Sequence, residues 1–366
     1  MSPRAARGLS MIELLIALAI GSLIIVGAVF VYSQSRTSYR LNETTARLQE
    51  NARYVFSRIE SDIQLAGYYG YSNKYSDIRL VDNAGNETAL AQAQQGDPTV
   101  PGLPGYTHWC GNNFLVDLMA TVQGINNAPA GALQFGPAPT NMGAAPGGCG
   151  LGGNGNVGGT DALVIRRLDV AALAAPTAGV LQAFVNRTKS SSQRIFFNGV
   201  APGALVPNVA EIRDVVGRAL YVSRDSDGRP NYPALRAKAT VAGAAAITDA
   251  EILPGVEDMQ VQFGIDTGDY DNDGLPDIDD DANGIPDVVN GLATRYVDPD
   301  SALLPGAQVV SVRIWLRLRS EQPEVGYTDT RNYQYAGVNY TPAAAEAGFR
   351  RILVSRTIQL RNSRLL

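Results

Sequence analysis

The longest apolar run in the chain lies near its N-terminus. Between Leu14 and Tyr32 one serine is the only polar residue, and these 19 residues would form a helix about 28 Å long, enough to cross the core of a bilayer. Apolar residues then recur every three or four positions, at Leu48, Ala52, Val55, Ile59 and Ile63. This spacing predicts one continuous helix as far as Leu65, apolar in its first half and amphipathic in its second. Polar residues, Asp62 among them, would occupy its other faces, and Gly67 would end it.

Beyond position 160 the pattern changes to the alternation of apolar and polar residues that is typical of β-strands. It predicts strands over 162–168, 194–199, 256–266, 309–321 and 350–362, and a hairpin of 218–224 and 231–237 around the turn 225–230. Residues 68–160 show little periodicity, and the chain is rich in Gly (38) and Pro (20), which favours strands and loops over helices. Strands gathered after one long helix predict an α+β class with an antiparallel sheet.

One glycine-rich stretch contains a familiar spacing. Gly150, Gly152 and Gly155 match G-x-G-x-x-G, but a nucleotide-binding loop of this kind follows a strand and opens a helix. Neither pattern is present here, so we interpret the stretch as a flexible loop without a binding function.

The residues before the apolar run are few, basic and polar, with Arg4 and Arg7 ahead of Gly8. No small-residue cleavage site follows the run, which argues against a secretory signal peptide and makes an uncleaved signal anchor the simplest interpretation. Arginines lie on both sides of the run, so charge alone does not settle its orientation. Glu13 at the start of the run argues against a plain anchor, because an ionisable group at a membrane boundary is costly and usually functional.

The sequence RGLSMIELL around these residues resembles the leader of type IV prepilins. The resemblance implies that a membrane-bound prepilin peptidase cuts between Gly8 and Leu9, and that Leu9 becomes an N-methylated terminus. Most prepilins have phenylalanine at this position, so Leu9 departs from the pattern. The resemblance also implies that Glu13 pairs with the terminal amine of a neighbouring subunit and sets the register of assembly, since a lone carboxylate in an apolar filament core needs a cation.

Four further segments, 46–71, 253–274, 309–323 and 350–362, resemble the PilW family of minor pilins. This resemblance implies a type IV pilin fold, in which a long N-terminal α-helix packs on an antiparallel β-sheet body. The implied division of the chain is a leader at 1–8, the membrane-spanning or filament-core half of the helix at 9–33, its amphipathic half at 34–67, and an extracytoplasmic β-rich body at 68–366.

By this resemblance the chain is a non-enzymatic subunit that helps to initiate type IV pilus assembly and supports twitching motility or adhesion. Its expected partners are prepilin peptidase, the major pilin, other minor pilins and the inner-membrane assembly platform. The chain would cross the bacterial inner membrane once, with its body in the periplasm, and reach the pilus and cell surface after assembly. A pseudopilin of type II secretion shares the leader and the helix, and a signal-anchored extracytoplasmic calcium-binding adhesin or enzyme is a third alternative.

An acidic loop separates two of the predicted strands. Residues 266–287 carry nine aspartates and no lysine or arginine, and repulsion on that scale is relieved by a cation. The loop contains one unit twice, Asp-x-Asp-x-(Asp or Asn)-Gly-x-x-Asp, with a proline two residues after each glycine. Alternate carboxylates, a glycine for the sharp turn and the carbonyl of the following residue are the features of a calcium loop.

The prolines forbid the flanking helix of an EF-hand, so the pattern is similar to the short calcium loops of extracellular repeats. Magnesium fits less well, because it prefers fewer protein ligands and more water, and an acidic hairpin tip without a metal is the alternative. The predicted ligands of one or two calcium ions are Asp269, Asp271, Asp273, Leu275 and Asp277 in the first unit and Asp279, Asp281, Asn283, Ile285 and Asp287 in the second.

The two cysteines, Cys110 and Cys149, lie 39 residues apart, and the chain has one histidine. This composition disfavours a zinc site with Cys and His ligands. If the body lies outside the cytoplasm we expect a disulfide between them, and two free thiols in a reducing compartment are the alternative. The net charge of −5 gives no indication of nucleic-acid binding, and no hydrolase elbow, phosphate-binding loop or basic aromatic patch is present.

Overall fold

The computed structural model describes residues 10–70, 78–81, 85–89, 118, 120–131, 133, 151–188, 193–196, 198–244, 246–267, 291–304 and 307–363. The chain divides into two compact units, Met1–Glu50 and Asn51–Leu366. The first unit holds most of one long helix, and the second holds the end of that helix and all the described strands.

Helix α1 runs from Met11 to Gln64 without a break, which confirms the predicted continuous helix. Its large apolar side chains between Met11 and Tyr32 are exposed, as expected for a segment that meets lipid or other helices rather than a domain core. In the second unit, the apolar positions predicted from the 3–4 spacing, such as Val55, Ile59 and Ile63, are buried. Gly67 follows the helix with a φ of +74°, a left-handed conformation that favours glycine at a helix end.

The larger sheet of the second unit contains nine strands among the described residues. They are β1 Ile78–Val81, β2 Glu87–Ala89, β3 Val122–Ala128, β4 Thr160–Leu168, β5 Gln182–Asn186, β6 Gln193–Phe196, β7 Ala210–Ser223, β8 Ala234–Thr240 and β9 Ile247–Pro254. Their order is β2-β1-β6-β5-β7-β4-β3, with β8 paired to β7 and β9 paired to β8. Neighbouring strands are antiparallel except β1 and β6, which are parallel.

The smaller sheet is wholly antiparallel and has the order β11-β10-β12-β15 among the described residues. Its strands are β10 Val256–Asp266, β11 Arg295–Val297, β12 Gln308–Arg319 and β15 Arg351–Gln359, and β13 Tyr333–Tyr335 and β14 Val338–Tyr340 form a separate hairpin. The two faces of this sheet differ. Alternate residues such as Met259, Val261, Ile314 and Leu316 form a buried apolar face, and the intervening positions carry charged and polar side chains.

The α+β class and the predicted strands are therefore confirmed, with β10 matching its predicted range and β12 and β15 ending two or three residues early. The prediction of a purely antiparallel sheet was wrong at the β1–β6 pair. The alternation pattern also left β1, β2, β3, β5, β9, β11, β13 and β14 unpredicted. Most of these strands have only three to five residues, too few to show a clear alternation.

Candidate assembly site

The first turn of α1 is closed by a reciprocal pair of hydrogen bonds. The backbone N–H of Ser10 donates to Oε2 of Glu13 at 3.0 Å, and the backbone N–H of Glu13 donates to Oγ of Ser10 at 3.2 Å. This is a capping box, in which the serine and the glutamate three residues later satisfy each other's otherwise unpaired donors. Glu13 therefore has a local role at the helix start that the sequence comparison with prepilins did not include.

The segment that follows Glu13 is chemically suited to a membrane or a filament core. Among the described residues α1 is the one helix long and apolar enough to cross a bilayer. Ser22 is satisfied locally, since its hydroxyl donates to the carbonyl of Ala19 at 2.8 Å, so it adds no unpaired donor to the apolar surface. The exposed run then ends in the polar, arginine-bearing part of the helix after Tyr32.

Asp62 fastens the last turns of α1 to the larger sheet. Its Oδ1 accepts a hydrogen bond from Nη2 of Arg167 at 2.8 Å, and its Oδ2 pairs with Nη1 of Arg218. Arg167 lies on β4 and Arg218 on β7, so one carboxylate joins the helix to two strands. Asp62 is only 7% exposed. The sequence places Asp62 outside the apolar stripe of the helix, and the structure nevertheless buries it, because its charge is compensated inside the protein by two arginines.

A second buried charge cluster lies on the polar face of the smaller sheet. Glu257 accepts hydrogen bonds from Arg351 at 2.8 and 3.0 Å and from Arg317 at 3.1 Å, and a longer contact from Arg319 at 3.5 Å. Arg351 is 1% exposed and also donates to the carbonyls of Glu346 and Phe349. The arginines thus hold the segment between β12 and β15 against the sheet.

The β13–β14 hairpin covers this cluster. The hydroxyl of Tyr335 donates to Asp258, and Nη1 of Arg317 donates to that same hydroxyl at 2.5 Å. The guanidinium of Arg317 also stacks 3.5 Å from the ring centre of Tyr340, a favourable cation–π arrangement. Burial raises the pKa of Asp258, although the hydrogen bonds that it accepts oppose the shift.

Asp161 lies where the two sheets meet. Its carboxylate accepts hydrogen bonds from the backbone N–H of Asn127 at 2.9 Å and of Val261 at 2.7 Å. Asn127 has a φ of +48° within an irregularity of β3, and Val261 lies in the middle of β10. Burial raises the pKa of Asp161 to about 7, and nearby Asp258 and Asp298 add to the rise. One side chain therefore joins β4, β3 and β10.

The two ends of the acidic loop are fastened to each other. Oδ2 of Asp266 accepts the backbone N–H of Gly291 at 2.8 Å, and the N–H of Thr294 donates to the carbonyl of Ile265 at 2.9 Å. The hydroxyls of Thr267 and Thr294 are 3.0 Å apart. The residues between, which include all the predicted calcium ligands, lie outside the described residues. No group of three metal-ligating side chains occurs in the described part of the chain.

The glycine-rich segment is not a loose loop over residues 151–157. Gly152 donates to Oδ2 of Asp249 at 3.1 Å, and the carbonyl of Gly153 accepts the N–H of Asp225 at 2.9 Å. A Cβ at Gly153 would lie 2.3 Å from the carbonyl oxygen of Asp225, so glycine is needed for this close approach. The expectation of a flexible loop was wrong for these residues, while Gly150 lies outside the described range.

Several predicted site residues also lie outside the described residues. They are the cleavage pair Gly8 and Leu9 and the two cysteines Cys110 and Cys149. Conversely, Asp62, Asp161 and Glu257 were not singled out from the sequence. The cluster around Glu257 could have been found from the sequence of β12, because Arg317 and Arg319 alternate with buried leucines and so lie on one face of the strand.

Comparisons with known proteins find matches at the N-terminal helix and in the C-terminal part of the chain. The chain matches the family model described as type IV pilus-assembly protein W over residues 219–362 and the prokaryotic N-terminal methylation motif over residues 3–29. No curated protein matches the chain significantly. A type IV-like pilin from Thermus thermophilus is a similar solved structure, with 14% identity, a TM-score of 0.25 and coverage of 56% of this chain and 78% of that one. At that TM-score and identity the likeness adds nothing to the fold assignment.

The two family matches cover the start of α1 and the smaller sheet. The methylation motif covers the capping box and the start of the exposed apolar helix. The other match covers the whole smaller sheet, its buried arginines and the β13–β14 hairpin. The chain is a PilW-like type IV pilin that has the role of a minor pilin in pilus assembly.

Proposed function

We propose that the chain is held in the inner membrane by α1, with its body on the periplasmic side, and is cut between Gly8 and Leu9 by prepilin peptidase. The inner-membrane assembly platform then builds it into the pilus with the major pilin and other minor pilins, where it helps to start assembly. The methylation motif supports processing by prepilin peptidase, and the match to pilus-assembly protein W supports pilus partners and a structural, non-enzymatic role.

The observation that carries the proposal is the start of α1. A carboxylate, Glu13, stands at the head of an exposed apolar surface that extends to Tyr32. One of its oxygens, Oε2, accepts from Ser10, and Oε1 has no hydrogen-bond partner among the described residues. In an apolar filament core that carboxylate needs a cation, and the methylated amine of a neighbouring subunit supplies one.

The capping box allows the two roles of Glu13 to be separated. Gln at this position retains the cap, because its amide oxygen also accepts the Ser10 N–H, but it loses the charge. We expect Glu13→Gln and Glu13→Ala chains to be cleaved normally and both to be depleted from sheared pili. The matched variant Ser10→Ala loses the cap acceptor while keeping the carboxylate, and we expect it to be incorporated. Normal incorporation of Glu13→Gln would show that Glu13 only caps the helix.

We also propose that residues 269–287 bind calcium. The proposal is supported by the repeated aspartate unit and by the hydrogen bonds that hold the two ends of the loop together, because these bonds already meet the entropic cost of closing it. Two further residues outside the described range, Cys110 and Cys149, are proposed to form a disulfide, which an oxidising compartment would maintain. Alkylation before and after reduction, followed by mass measurement, tests the disulfide: two alkylated thiols without reduction would contradict it.

A further inference from the structure

Strand β15 forms one edge of the smaller sheet in the described part of the chain. It pairs with β12 through nine successive residues, from Gln359 opposite Ser311 to Arg351 opposite Arg319, with no shift of register. Its sequence, RILVSRTIQ, contains no proline, glycine or lysine. Natural proteins usually protect such an edge with proline, charged side chains, a bulge or a short strand. Between positions 352 and 359 Arg356 is the one such feature, so most of this long regular edge is able to pair.

The direction of the backbone groups follows from two hydrogen bonds at the ends of the ladder. The N–H of Leu360 donates to the carbonyl of Val310 at 2.9 Å, and the N–H of Ser320 donates to the carbonyl of Arg350 at 2.8 Å. In an antiparallel pair, alternate residues turn both their N–H and C=O toward the partner strand. The even-numbered residues of β15 therefore face β12, and Leu353, Ser355, Thr357 and Gln359 face away from it.

Both ends of this outer edge are closed. The carbonyl of Arg351 accepts Nη2 of Arg331 at 2.8 Å, and the N–H of Arg361 donates to the carbonyl of Gln64 at 3.1 Å. Between these two contacts the outward backbone groups of the four odd-numbered residues have no partner among the described residues. The open part of the edge is thus one continuous segment, 353–359, of a length suited to a short added strand.

The side chains along the edge define what would pair with it. Val354 and Ile358 lie on the same face as Arg356, which is bonded to Glu60 of α1 at 3.2 Å with 46% of its side chain exposed. On the opposite face Ser355 and Thr357 are exposed and polar. Cross-strand neighbours of matching character stabilise a pair. The complementary strand would therefore present a carboxylate and apolar side chains on the helix side and polar side chains on the other.

We propose that the open edge of β15 binds an extended segment of another pilus subunit, which adds to the smaller sheet as a further strand. The proposal rests on the proposed function, since it requires the chain to be assembled beside other subunits. Backbone hydrogen bonds supply the affinity in this mode of binding, and alternate side chains supply the specificity. A second copy of this chain fits poorly, because edge-to-edge pairing would place two Arg356 side chains on one face of the joined sheet, where like charges repel.

The first test removes a backbone donor on the open side of β15 and keeps the hydrogen bonds between β15 and β12. Ser355→Pro removes one outward N–H and places a ring where the added strand would lie, and edge positions tolerate proline. Ser355→Ala is the matched control, because it keeps the backbone donor. Both variants should melt close to the parent chain. We expect mass spectrometry of sheared pili to recover the proline variant at about a tenth of the parent level and the alanine variant at the parent level.

A photo-crosslinking residue at Thr357, in the otherwise unchanged chain, keeps the test decisive if the proline variant misfolds. The supporting result is a crosslinked peptide from a different pilus subunit in isolated pili. A crosslink within this chain, a crosslink to a second copy or no crosslink would overturn the proposal. Absence of the parent chain from pili would overturn the proposed function instead, whereas parent and Ser355→Pro chains recovered equally would overturn the edge-binding proposal alone.

Discussion

Asp62 contributes strongly to the contact between the last turns of α1 and the larger sheet, and this gives a specific prediction. In Asp62→Asn the shape is nearly unchanged, but the charge that compensates two arginines is lost. The side chain of Asp62 is 9% exposed, and those of Arg167 and Arg218 are 13% and 28% exposed. The variant therefore leaves two poorly solvated cations facing a neutral amide.

The magnitude follows from the burial of the three groups. Removal of one partner from a buried ion pair costs about 3–5 kcal/mol, because the remaining charge keeps its desolvation penalty. The partial exposure of Arg218 places the expected loss near the lower end, at about 3 kcal/mol. The matched control is Glu60→Gln in the same helix, since Glu60 and Arg356 are 28% and 46% exposed. An exposed pair of that kind contributes about 1 kcal/mol or less.

The assay is urea unfolding of the purified chain in a mild detergent, followed by tryptophan fluorescence, to which Trp315 in β12 contributes. We expect the free energy of unfolding to fall by about 3 kcal/mol in Asp62→Asn and by less than about 1 kcal/mol in Glu60→Gln. If the two variants lose equal stability, the pairs of Asp62 with Arg167 and Arg218 stabilise the fold no more than an exposed ion pair does, and the magnitude inferred from their burial is refuted.

Three further predictions follow from the described residues and the acidic loop. The pKa of Asp161 is raised to about 7, so between about pH 4 and pH 7 the folded chain keeps a proton that the unfolded chain releases, and this group's contribution to stability is lost as the pH rises through about 7. The free energy of unfolding, measured in urea at pH 5 and pH 7.5, should therefore change less with pH in Asp161→Asn than in the parent chain. An equal change in both chains would contradict the assignment. Gly153→Ala should destabilise the chain by more than 1 kcal/mol, roughly, whereas Gly243→Ala, with a similar φ of +68° and nothing within 4 Å of its Cβ, should cost less in the same thermal melts. Isothermal calorimetry should detect calcium binding that is lost when the aspartates at 271 and 281 are replaced by asparagine, and flat heats at millimolar calcium would exclude the site.

The elements that sequence predicted best are those whose signal is local. The helix was predictable because apolar positions such as Val55 and Ile59 repeat at the period of a helix whatever they pack against. Strands β10 and β12 were predictable for the same reason, with a period of two. Glu13 was singled out from the sequence because its charge stands at the head of an apolar run, and its role in assembly stays a prediction.

Buried charges were harder to predict, because their burial depends on distant partners. Asp62 resembles any solvated residue of an amphipathic helix until Arg167 and Arg218, more than 100 residues later, are placed beside it. The polar residues of β12 alternate with apolar ones as in a strand with one face in solvent, but the hairpin that carries Tyr335 helps to bury them. The ordered glycines near Gly153 show the opposite error, since glycine there allows close packing rather than flexibility.

The mass of the chain's N-terminal peptide, taken from purified pili, tests the central claim most directly. If the chain is a processed minor pilin, that peptide begins at Leu9 and carries one additional methyl group. A chain that begins at Met1, or one that is absent from pili while present in the membrane, would contradict the account.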